Sequence, residues 1–226
     1  MIDIIITTIG RRTLAQALLA AVQQTHPDVR VVVIKDGPQD GAQRIVDALA
    51  ASGLLVGANV LTVQTPEPFG RGNLAKSWWI EDKRCSEWVR FLDDDDWMPP
   101  SAIEEMAKAI DGDDVTLVTC LMCTLIRLRN SPMRWRMNPA QMQPDKIGGG
   151  SALIRTDAAR VANGLQAVPT GDYEFLKRVA DQGRRVHVNA PLYYYNGWRT
   201  DRDRYGAHVP QYEADYAECE VADAEA

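Results

Sequence analysis

The sequence has no long apolar run, and this absence excludes one class of protein at the outset. None of its 226 residues lies in a stretch of about 18 apolar residues, so no membrane span is predicted. The N-terminus lacks the basic segment of a secretory signal, and its first apolar run, which carries Asp3, predicts a strand. The composition, 46% hydrophobic and 25% charged, is typical of a soluble globular protein with one large domain or two small ones.

Cysteine is scarce, and the four that occur do not form a recognisable framework. Cys120 and Cys123 make a C-x-x-C pair, but the pair lies in an apolar stretch and has no second pair to complete a zinc site. We therefore expect Cys120 and Cys123 to be buried free thiols. A chain of this kind suits a reducing compartment, and we expect a cytoplasmic location.

Net charge is low outside the last residues of the chain. The formal net charge is −6, and residues 213–226 hold six acidic residues and no Lys or Arg, so residues 1–212 are balanced. We expect this acidic tail to be mobile. Residues 1–126 carry a net charge of −7 and residues 127–212 a net charge of +7. The asymmetry suits an acidic half that holds a cation and a basic half that faces an anion, or is a chance feature of solvated surfaces.

Among the features that are present, the run Asp93, Asp94, Asp95 and Asp96 (the acidic tetrad) is the most informative. An apolar run that predicts a strand ends directly before it, and the prolines at 99 and 100 are typical of a helix start. Four adjacent carboxylates repel one another unless water or a cation compensates them, and their oxygens suit Mg²⁺ or Mn²⁺. A solvated turn is the plain alternative, and a calcium loop would need a different ligand spacing. The flanking elements favour a metal site that could hold a nucleotide's phosphates.

Strand and helix patterns alternate through the first 112 residues. Apolar runs predict the strands, and apolar residues at helical spacing predict the helices between them. The predicted strands are residues 2–7, 29–34, 59–63 and 88–92, and the predicted helices are residues 12–24, 41–51, 74–85 and 101–110. The alternation indicates an α/β fold with a mostly parallel sheet, in which ligands bind beyond the carboxyl ends of the strands.

Polar residues follow each of these predicted strands. Because the carboxyl ends of parallel strands meet at one edge, such residues predict a shared pocket even though each group alone is unremarkable. The groups are Thr7, Thr8 and Arg11 after the first strand, Lys35 and Asp36 after the second, Arg71 and Asn73 after the third, and the acidic tetrad after the fourth.

The alternation ends near residue 112, and the remainder predicts a smaller antiparallel portion. The predicted elements are one or two strands at 115–129, a loop or lid at 131–150, a strand at 151–154, a helix to about 163, a helix from Thr170 to about 182, and short strands at 185–189 and 192–195.

Four motifs in chain order resemble those of the family 2 glycosyltransferases, which have the GT-A fold. They are similar, in turn, to the first-strand segment, the Asp-Asp-Gly-Ser turn, the DxD element and the catalytic-base helix of that family. The four are residues 7–11 (T-T-I-G-R), 34–38 (I-K-D-G-P), 92–99 (L-D-D-D-D-W-M-P) and 171–178 (G-D-Y-E-F-L-K-R) followed by Gly183. Lys35, Pro38 and Gly171 depart from the usual residues of the family.

The resemblance covers about residues 2–198 and implies a single GT-A domain over residues 1–212, in which a Rossmann-like, mostly parallel sheet is flanked by helices. Residues 1–112 would form the nucleotide-sugar-binding half, and residues 113–212 the acceptor-binding half with its small antiparallel portion. The implied activity is inverting transfer, of the hexosyltransferase type, from a nucleoside diphosphate sugar to a hydroxyl acceptor. A UDP-sugar is the expected donor, and Mn²⁺ or Mg²⁺ the expected cofactor.

The resemblance also assigns roles to residues. Asp172 would be the general base, and Asp95 and Asp96 would bind the metal, with Asn196, His208 or neither as a third ligand, since the usual late histidine is missing. The residues implied to contact the nucleotide-sugar are Thr8, Arg11, Asp36, Arg71, Asp93, Asp94, Gly149 and Gly150. The plain alternative for Asp172 is the N-cap of a helix.

Aromatic and basic residues bear on the acceptor. Trp97, Trp135 and Trp198 fall in predicted loops, where an aromatic face could stack on a sugar or a base, and Glu174 is a further candidate. The arginines of the basic half suit an anionic acceptor such as a glycan, a lipid carrier or a nucleic acid. A hydroxylated nucleobase in DNA is the alternative acceptor that we keep.

Two other classes of protein remain open on the sequence. A nucleotidyltransferase would usually show a Gly-rich loop with a lysine after the first strand, and residues 8–12 have none. A catalytically inactive nucleotide-sugar-binding protein would be favoured if Asp172 lay far from the acidic tetrad.

Overall fold

The computed structural model describes residues 1–70, 72–126, 134–137, 148–166 and 171–196, and for residues 125–126 and 134–137 it describes the backbone alone. Strands and helices alternate through the first half of the chain, as the sequence predicts. They are β1 (Ile2–Thr8), α1 (Leu14–Val22), β2 (Val29–Lys35), α2 (Asp40–Ala51), β3 (Val60–Gln64), α3 (Gly72–Glu81), β4 (Trp88–Asp93) and α4 (Ala102–Ala107).

The second half is richer in strands than the first. Its elements are β5 (Val115–Ile126), β6 (Arg134–Met137), a 3₁₀ turn (Gly149–Ser151), β7 (Ala152–Arg155), α5 (Thr156–Val161), α6 (Gly171–Ala180) and β8 (Arg184–Tyr195).

The eight strands of the described residues form one sheet, in the order β3-β2-β1-β4-β7-β5-β6, with β8 also paired to β5. β1 to β4 run parallel, and β7 joins β4 to β5 in antiparallel orientation. β5 is antiparallel to β6 and parallel to β8. The register aligns Thr7 of β1 with Ile34 of β2 and Asp93 of β4, so the carboxyl ends of these strands meet at one edge of the sheet.

Apolar side chains cover both faces of the sheet, because successive residues of a strand point to opposite faces. On β1, Ile4 and Ile6 belong to the cluster formed with α1, α2 and α4. Ile5 belongs to the opposite cluster, with Trp79 of α3 and Phe175 of α6. Burial on both faces explains why the parallel strands are near-continuous apolar runs rather than alternating ones.

Two predictions about the second half are wrong. Residues 131–150, predicted as a loop or lid, contain the strand β6. The two short strands predicted at 185–189 and 192–195 are one strand, β8, whose pairing with β5 shifts register on either side of Pro191. A proline cannot donate to a strand ladder, and the irregularity removes that demand.

Strands from both halves of the chain share this single sheet. The assignment of residues 1–112 to the nucleotide-sugar and of residues 113–212 to the acceptor stays a prediction, and the acidic tail at 213–226 lies outside the described residues. Among the helices that the structure describes, none combines the length and apolar character that a membrane span requires.

Candidate active site

A cavity of about 240 Å³ opens at the carboxyl edge of the parallel strands. Its walls come from the ends of β1, β2 and β4 and from the first turns of α3, so segments far apart in sequence meet there. The lining residues are Thr7, Thr8, Ile9, Arg11, Asp36, Gly72, Asn73, Lys76, Asp93, Asp94 and Asp95. We call this cavity the edge pocket.

The four carboxylates of the acidic tetrad divide into two kinds. Asp93 ends β4, and the chain turns directly after it. The side chains of Asp93 and Asp95 are 42% and 32% exposed. Asp94 and Asp96 are buried. The carboxylates of Asp93 and Asp95 are therefore partly open to solvent beside the pocket. Those of Asp94 and Asp96 are buried and bonded within the protein.

Asp94 is held by the first-strand motif. Thr8 Oγ1 donates a hydrogen bond to Asp94 Oδ2 at 2.6 Å, and Arg11 Nη1 lies 2.7 Å from Asp94 Oδ1. Burial raises the pKa of Asp94 to about 6, although the bond from Thr8 and the charge of Arg11 both lower it. Burial would lower the pKa of Arg11, but the charges of Asp94 and Asp95 outweigh it and raise that pKa.

Asp96 is held by β8 on the other side of the tetrad. The Tyr193 hydroxyl donates to Asp96 Oδ2, and the Asn196 backbone N–H donates to Asp96 Oδ1 at 2.7 Å. Burial, together with the charges of Asp93 and Asp95, raises the pKa of Asp96 well above its usual range. Both oxygens of this carboxylate therefore accept hydrogen bonds from within the protein.

Tyr193 is positioned by a buried cation and a close backbone. Arg90 of β4 is fully buried, lies 5.7 Å from the centroid of the Tyr193 ring, and donates to the Leu192 carbonyl at 3.1 Å. A Cβ at Gly150 would lie 2.0 Å from Tyr193 Cζ, so only glycine allows this approach. Sequence reasoning missed Arg90, although a charge inside an apolar strand was the signal that could have found it.

Asp36 forms the wall of the pocket at the end of β2. Its backbone N–H donates to the Thr8 carbonyl at 3.0 Å, and its Oδ1 accepts a 2.6 Å hydrogen bond from the Phe69 N–H. These bonds tie the ends of β1 and β2 to the connection after β3. Gly37 follows with a φ of 79°, and a Cβ there would lie 2.7 Å from Pro68 Cγ, so the turn requires glycine.

Asp172 reaches the edge pocket from α6. It lies in the first turn of that helix, and its Oδ1 accepts a 2.7 Å hydrogen bond from Asn73 Nδ2, itself a lining residue. The backbone at Gly149 also approaches it, since a Cβ there would lie 2.7 Å from Asp172 Oδ2. The predicted base, Asp172, therefore contacts a residue that lines the pocket. Thr170, where the sequence predicts this helix to begin, lies outside the described residues.

Helix α3 adds a cation that sequence reasoning missed. Lys76 Nζ donates to Asp93 Oδ1 at 2.6 Å and lies 5.4 Å from the centroid of the Phe91 ring. Burial would lower the pKa of Lys76, but the charges of Asp93, Asp172 and Asp96 outweigh it and raise that pKa. A lysine on the same helical stripe as the buried Trp79 was the sequence signal for it.

The predicted acceptor residues are only partly described. Trp97 stacks on Tyr194, with ring centroids 6.1 Å apart and planes inclined by 7°, and Glu174 is exposed on α6. Of Trp135 only the backbone is described. Arg71, Trp198 and His208 lie outside the described residues, as do five of the twelve arginines of the basic half. Their roles stay predictions of the sequence.

The carboxylates suit a hard divalent ion that arrives with phosphate groups. In the described parts of the chain, no group of three or more His, Cys, Asp or Glu forms a dedicated metal cage. Mg²⁺ commonly uses one or two carboxylates together with substrate phosphates and water, and Asp95 beside the pocket fits that pattern. Asp96 already accepts two hydrogen bonds, and Asp93 accepts one from Lys76. The metal roles of Asp95 and Asp96 stay predictions.

Comparison with known protein families identifies the class of this chain. The family model described as glycosyl transferase family 2 matches residues 3–180, well over half of the sequence. The chain therefore belongs to the family 2 glycosyltransferases. No curated protein matches it significantly.

Solved structures confirm the GT-A fold predicted from the sequence. S. aureus TarS 1–349 superimposes with a TM-score of 0.68 at 15% identity, covering 86% of this chain and 60% of that one. The same TarS fragment in complex with UDP-GlcNAc gives 0.68 at 16% identity, with 92% and 61% coverage. The mannosyltransferase PcManGT from Pyrobaculum calidifontis, in complex with GDP-Man and Mn²⁺, gives 0.68 at 15%, with 88% and 58% coverage. The chain thus spans about three-fifths of the length of these proteins.

Proposed function

We propose that this protein is an inverting glycosyltransferase that moves a sugar from a nucleoside diphosphate sugar to a hydroxyl group. The observation that carries the proposal is the hydrogen bond that joins Asp172 to Asn73 in the wall of the edge pocket. It joins a carboxylate from α6 to a residue that lines the pocket together with Asp93, Asp94 and Asp95. The family match adds support, because the matched range, residues 3–180, includes Asn73, the acidic tetrad and Asp172.

The proposed reaction breaks the bond between the sugar and the diphosphate. Negative charge then builds on the departing phosphate oxygens, and groups fixed in advance to meet that charge lower the barrier. A divalent ion bound at Asp95 would supply such stabilisation without any proton transfer. Arg11 and Lys76 are the cations among the described lining residues.

Asp172 has the chemistry required at the acceptor. A hydroxyl group is a weak nucleophile, and a carboxylate within hydrogen-bonding reach can accept its proton as it attacks, a contribution of about 10²- to 10⁴-fold. The bond from Asn73 leaves Asp172 oriented towards the pocket wall, and Gly149 allows the backbone of the 3₁₀ turn to pass close to it. A single displacement by the acceptor inverts the anomeric carbon.

The donor is proposed to be a UDP-sugar, with a GDP-sugar as the next choice. TarS has been solved with UDP-GlcNAc and PcManGT with GDP-Man and Mn²⁺, and this chain shares their fold. Thr8, Asp36, Arg11 and Asp94 line the pocket that we assign to the nucleotide. Asp93 would face the ribose, and Mn²⁺ or Mg²⁺ would be the cofactor. The acceptor class and a cytoplasmic location stay predictions of the sequence.

The test is hydrolysis of a panel of UDP- and GDP-sugars with Mn²⁺ or Mg²⁺ by the wild type and by Asp95→Ala. We expect slow, metal-dependent release of one nucleoside diphosphate by the wild type. Asp95→Ala should lose about two orders of magnitude, because a catalytic metal contributes several kcal/mol. Asp113→Ala is the matched control, since Asp113 is exposed and also belongs to an acidic run.

Two results would contradict the proposal. Equal rates in the wild type and Asp95→Ala would remove the acidic tetrad from the reaction. No release from any donor, with no thermal shift on addition of UDP or GDP, would exclude the transferase. Binding of a nucleoside diphosphate sugar with no turnover would instead support the inactive binding protein.

A further inference from the structure

The described lining of the edge pocket carries more negative than positive charge. Its charged residues are the aspartates 36, 93, 94 and 95 and the cations Arg11 and Lys76. A nucleoside diphosphate is itself an anion, so its binding to such a pocket requires positive charge that the aspartates do not already consume.

Arg11 is largely committed to the acidic tetrad. Its Nη1 lies 2.7 Å from Asp94 Oδ1 and 3.5 Å from Asp95 Oδ2, and Asp94 is buried. Turning this group towards a phosphate would leave a buried carboxylate without its cation, which is costly. Arg11 is therefore poorly suited to be the principal phosphate ligand of the pocket.

Lys76 is placed differently. Its side chain is 5% exposed, yet Lys76 is a lining residue of the pocket, and its ammonium group bonds to Asp93, another lining residue. Among the described residues, its one hydrogen bond goes to Asp93, whereas an ammonium group has three N–H donors. Asp93 is 42% exposed, so water can solvate that carboxylate if the ammonium turns to another anion.

We propose that Lys76 is a diphosphate-binding residue of the edge pocket, and that its positive charge opposes the binding of a divalent ion at the neighbouring carboxylates. The inference deepens the proposed function and rests on it. In this arrangement the ammonium donates one N–H to Asp93 and another to a phosphate oxygen of the donor. The pocket then has some affinity for a nucleoside diphosphate before any metal is bound.

The alternative is that Lys76 only neutralises Asp93 and stabilises α3 against β4. The two roles differ in what they predict for metal-free binding. A purely structural lysine would change the free energy of unfolding and leave the affinity for a diphosphate unaltered. A phosphate ligand would change that affinity and leave the affinity for the nucleoside, which has no phosphate, unaltered.

The experiment is isothermal titration of UDP and GDP, with uridine and guanosine as phosphate-free probes, into the wild type and Lys76→Met. Each titration is run with EDTA and with Mn²⁺. With EDTA we expect Lys76→Met to bind the diphosphate about 10- to 100-fold more weakly, the loss expected for one hydrogen bond between charged groups. Mn²⁺ should reduce this difference in diphosphate affinity, and the two proteins should bind the nucleoside equally well.

In a second measurement, the Lys76→Met substitution should strengthen binding, whereas in the first it should weaken it. Titration of Mn²⁺ alone, followed by electron paramagnetic resonance, should show tighter binding to Lys76→Met, by about threefold or more, because a competing positive charge has been removed. Lys76→Arg, which keeps the charge, should stay closer to the wild type in both measurements. Lys108→Met is the matched control, since Lys108 is exposed directly after α4 and pairs only with Glu104 and Glu105 among the described residues.

The outcomes separate this inference from the proposed function. If UDP and GDP bind the wild type only with Mn²⁺, and equally well to Lys76→Met, Lys76 is structural and the transferase proposal stands. If neither diphosphate binds the wild type with or without Mn²⁺, the proposed function fails and this inference fails with it. If Lys76→Met is folded, as judged by its urea unfolding curve, and loses metal-free binding alone, the inference holds.

Discussion

Two acidic sites lie at opposite ends of the central strands, one of them fully buried and the other partly open to solvent. At the amino edge, Asp3 of β1 has no exposed surface and accepts five hydrogen bonds, two from Arg30, one from Trp79 and two from Ser86. At the carboxyl edge, the acidic tetrad lies beside a cavity, with two of its carboxylates about a third exposed or more.

The difference separates a carboxylate that stabilises the fold from carboxylates that are available to a ligand. Asp3 is saturated by donors from three elements, so it fixes their relative positions. In the acidic tetrad, burial and neighbouring charge raise the pKa of Asp94 to about 6 and that of Asp96 well above its usual range. The raised pKa values mean that it costs free energy to keep these carboxylates charged in the folded protein. A bound cation would reduce that cost.

The largest effect on stability should come from the saturated site. Asp3→Asn removes the charge that faces Arg30, whose side chain is 14% exposed, and leaves that guanidinium without its partner. We expect the free energy of unfolding in urea to fall by about 3–5 kcal/mol. UDP or GDP affinity, measured well below the melting temperature, should be unchanged. Asp28→Asn, at an exposed position nearby, is the control. A loss below 1 kcal/mol would contradict the structural role that we assign to Asp3.

A smaller loss is expected where the acidic tetrad meets β8. Tyr193→Phe keeps the ring that packs on Gly150 and deletes the hydroxyl that donates to the buried Asp96. Leaving a buried acceptor with one donor fewer costs about 1–3 kcal/mol of unfolding free energy. Tyr173→Phe, on the exposed face of α6, should cost nothing measurable. Equal stability of the two variants would show that Asp96 does not depend on β8.

At the open carboxylates, stability and function should separate. Asp95→Asn removes one of four neighbouring negative charges and weakens a partly exposed contact with Arg11, and these changes oppose each other. We expect the free energy of unfolding to stay within about 1 kcal/mol of the wild type. Mn²⁺-dependent donor hydrolysis should nevertheless be lost. A large drop in stability would mean that the acidic tetrad is structural, like Asp3.

The smallest effect concerns an exposed ion pair at the amino edge. Arg84 binds Asp82 through two side-chain bonds of 3.0 and 2.8 Å, and these bonds lower the pKa of Asp82 to about 2. A lowered carboxylate pKa stabilises the fold above the unfolded value near 4, and this stabilisation is lost as the pH falls towards 2. Arg84→Met should therefore be less stable than the wild type at pH 7, by under about 1 kcal/mol because the pair is solvated.

Unfolding curves from pH 7 to pH 2 test this last expectation. The difference between the wild type and Arg84→Met should shrink as the pH falls, and added salt should reduce it at pH 7. If the difference in unfolding free energy grew as the pH fell, the lowered pKa would belong to a group other than Asp82. Compared with Asp3→Asn, the result would also show how much burial adds to an acidic pair at the same edge of the sheet.

The parallel half of the fold could be predicted from the sequence because each of its strands is a mostly apolar run with a helical pattern after it, although the edge strand β3 is only partly buried. The antiparallel half could not be predicted as well. β6 lies in a Met-, Pro- and Gly-rich segment with no alternation of its own, and it exists through pairing with β5. β8 contains Pro191, which interrupts the pattern although the strand continues through a register shift.

Local sequence motifs predicted two parts of the candidate site, and long-range contacts bring in the remaining residues. The acidic tetrad and Asp172 stand in recognisable patterns. The contacts between Lys76 and Asp93, Asn73 and Asp172, and Tyr193 and Asp96 join residues 17, 99 and 97 positions apart. No short sequence pattern encodes such a pairing, because the packing of α3 and α6 on the sheet and the pairing of β8 with β5 determine it.

The central claim is that Asp172 acts as the base at the edge pocket, and one measurement tests it most directly. The measurement compares the donor affinity and the metal-dependent donor hydrolysis rate of the wild type, Asp172→Asn and the control Asp181→Asn, which alters an exposed residue just after α6. Asparagine retains an oxygen to accept the bond from Asn73. We predict unchanged donor affinity with a rate lowered by about 10²- to 10⁴-fold. Hydrolysis by Asp172→Asn at the wild-type rate would contradict the account.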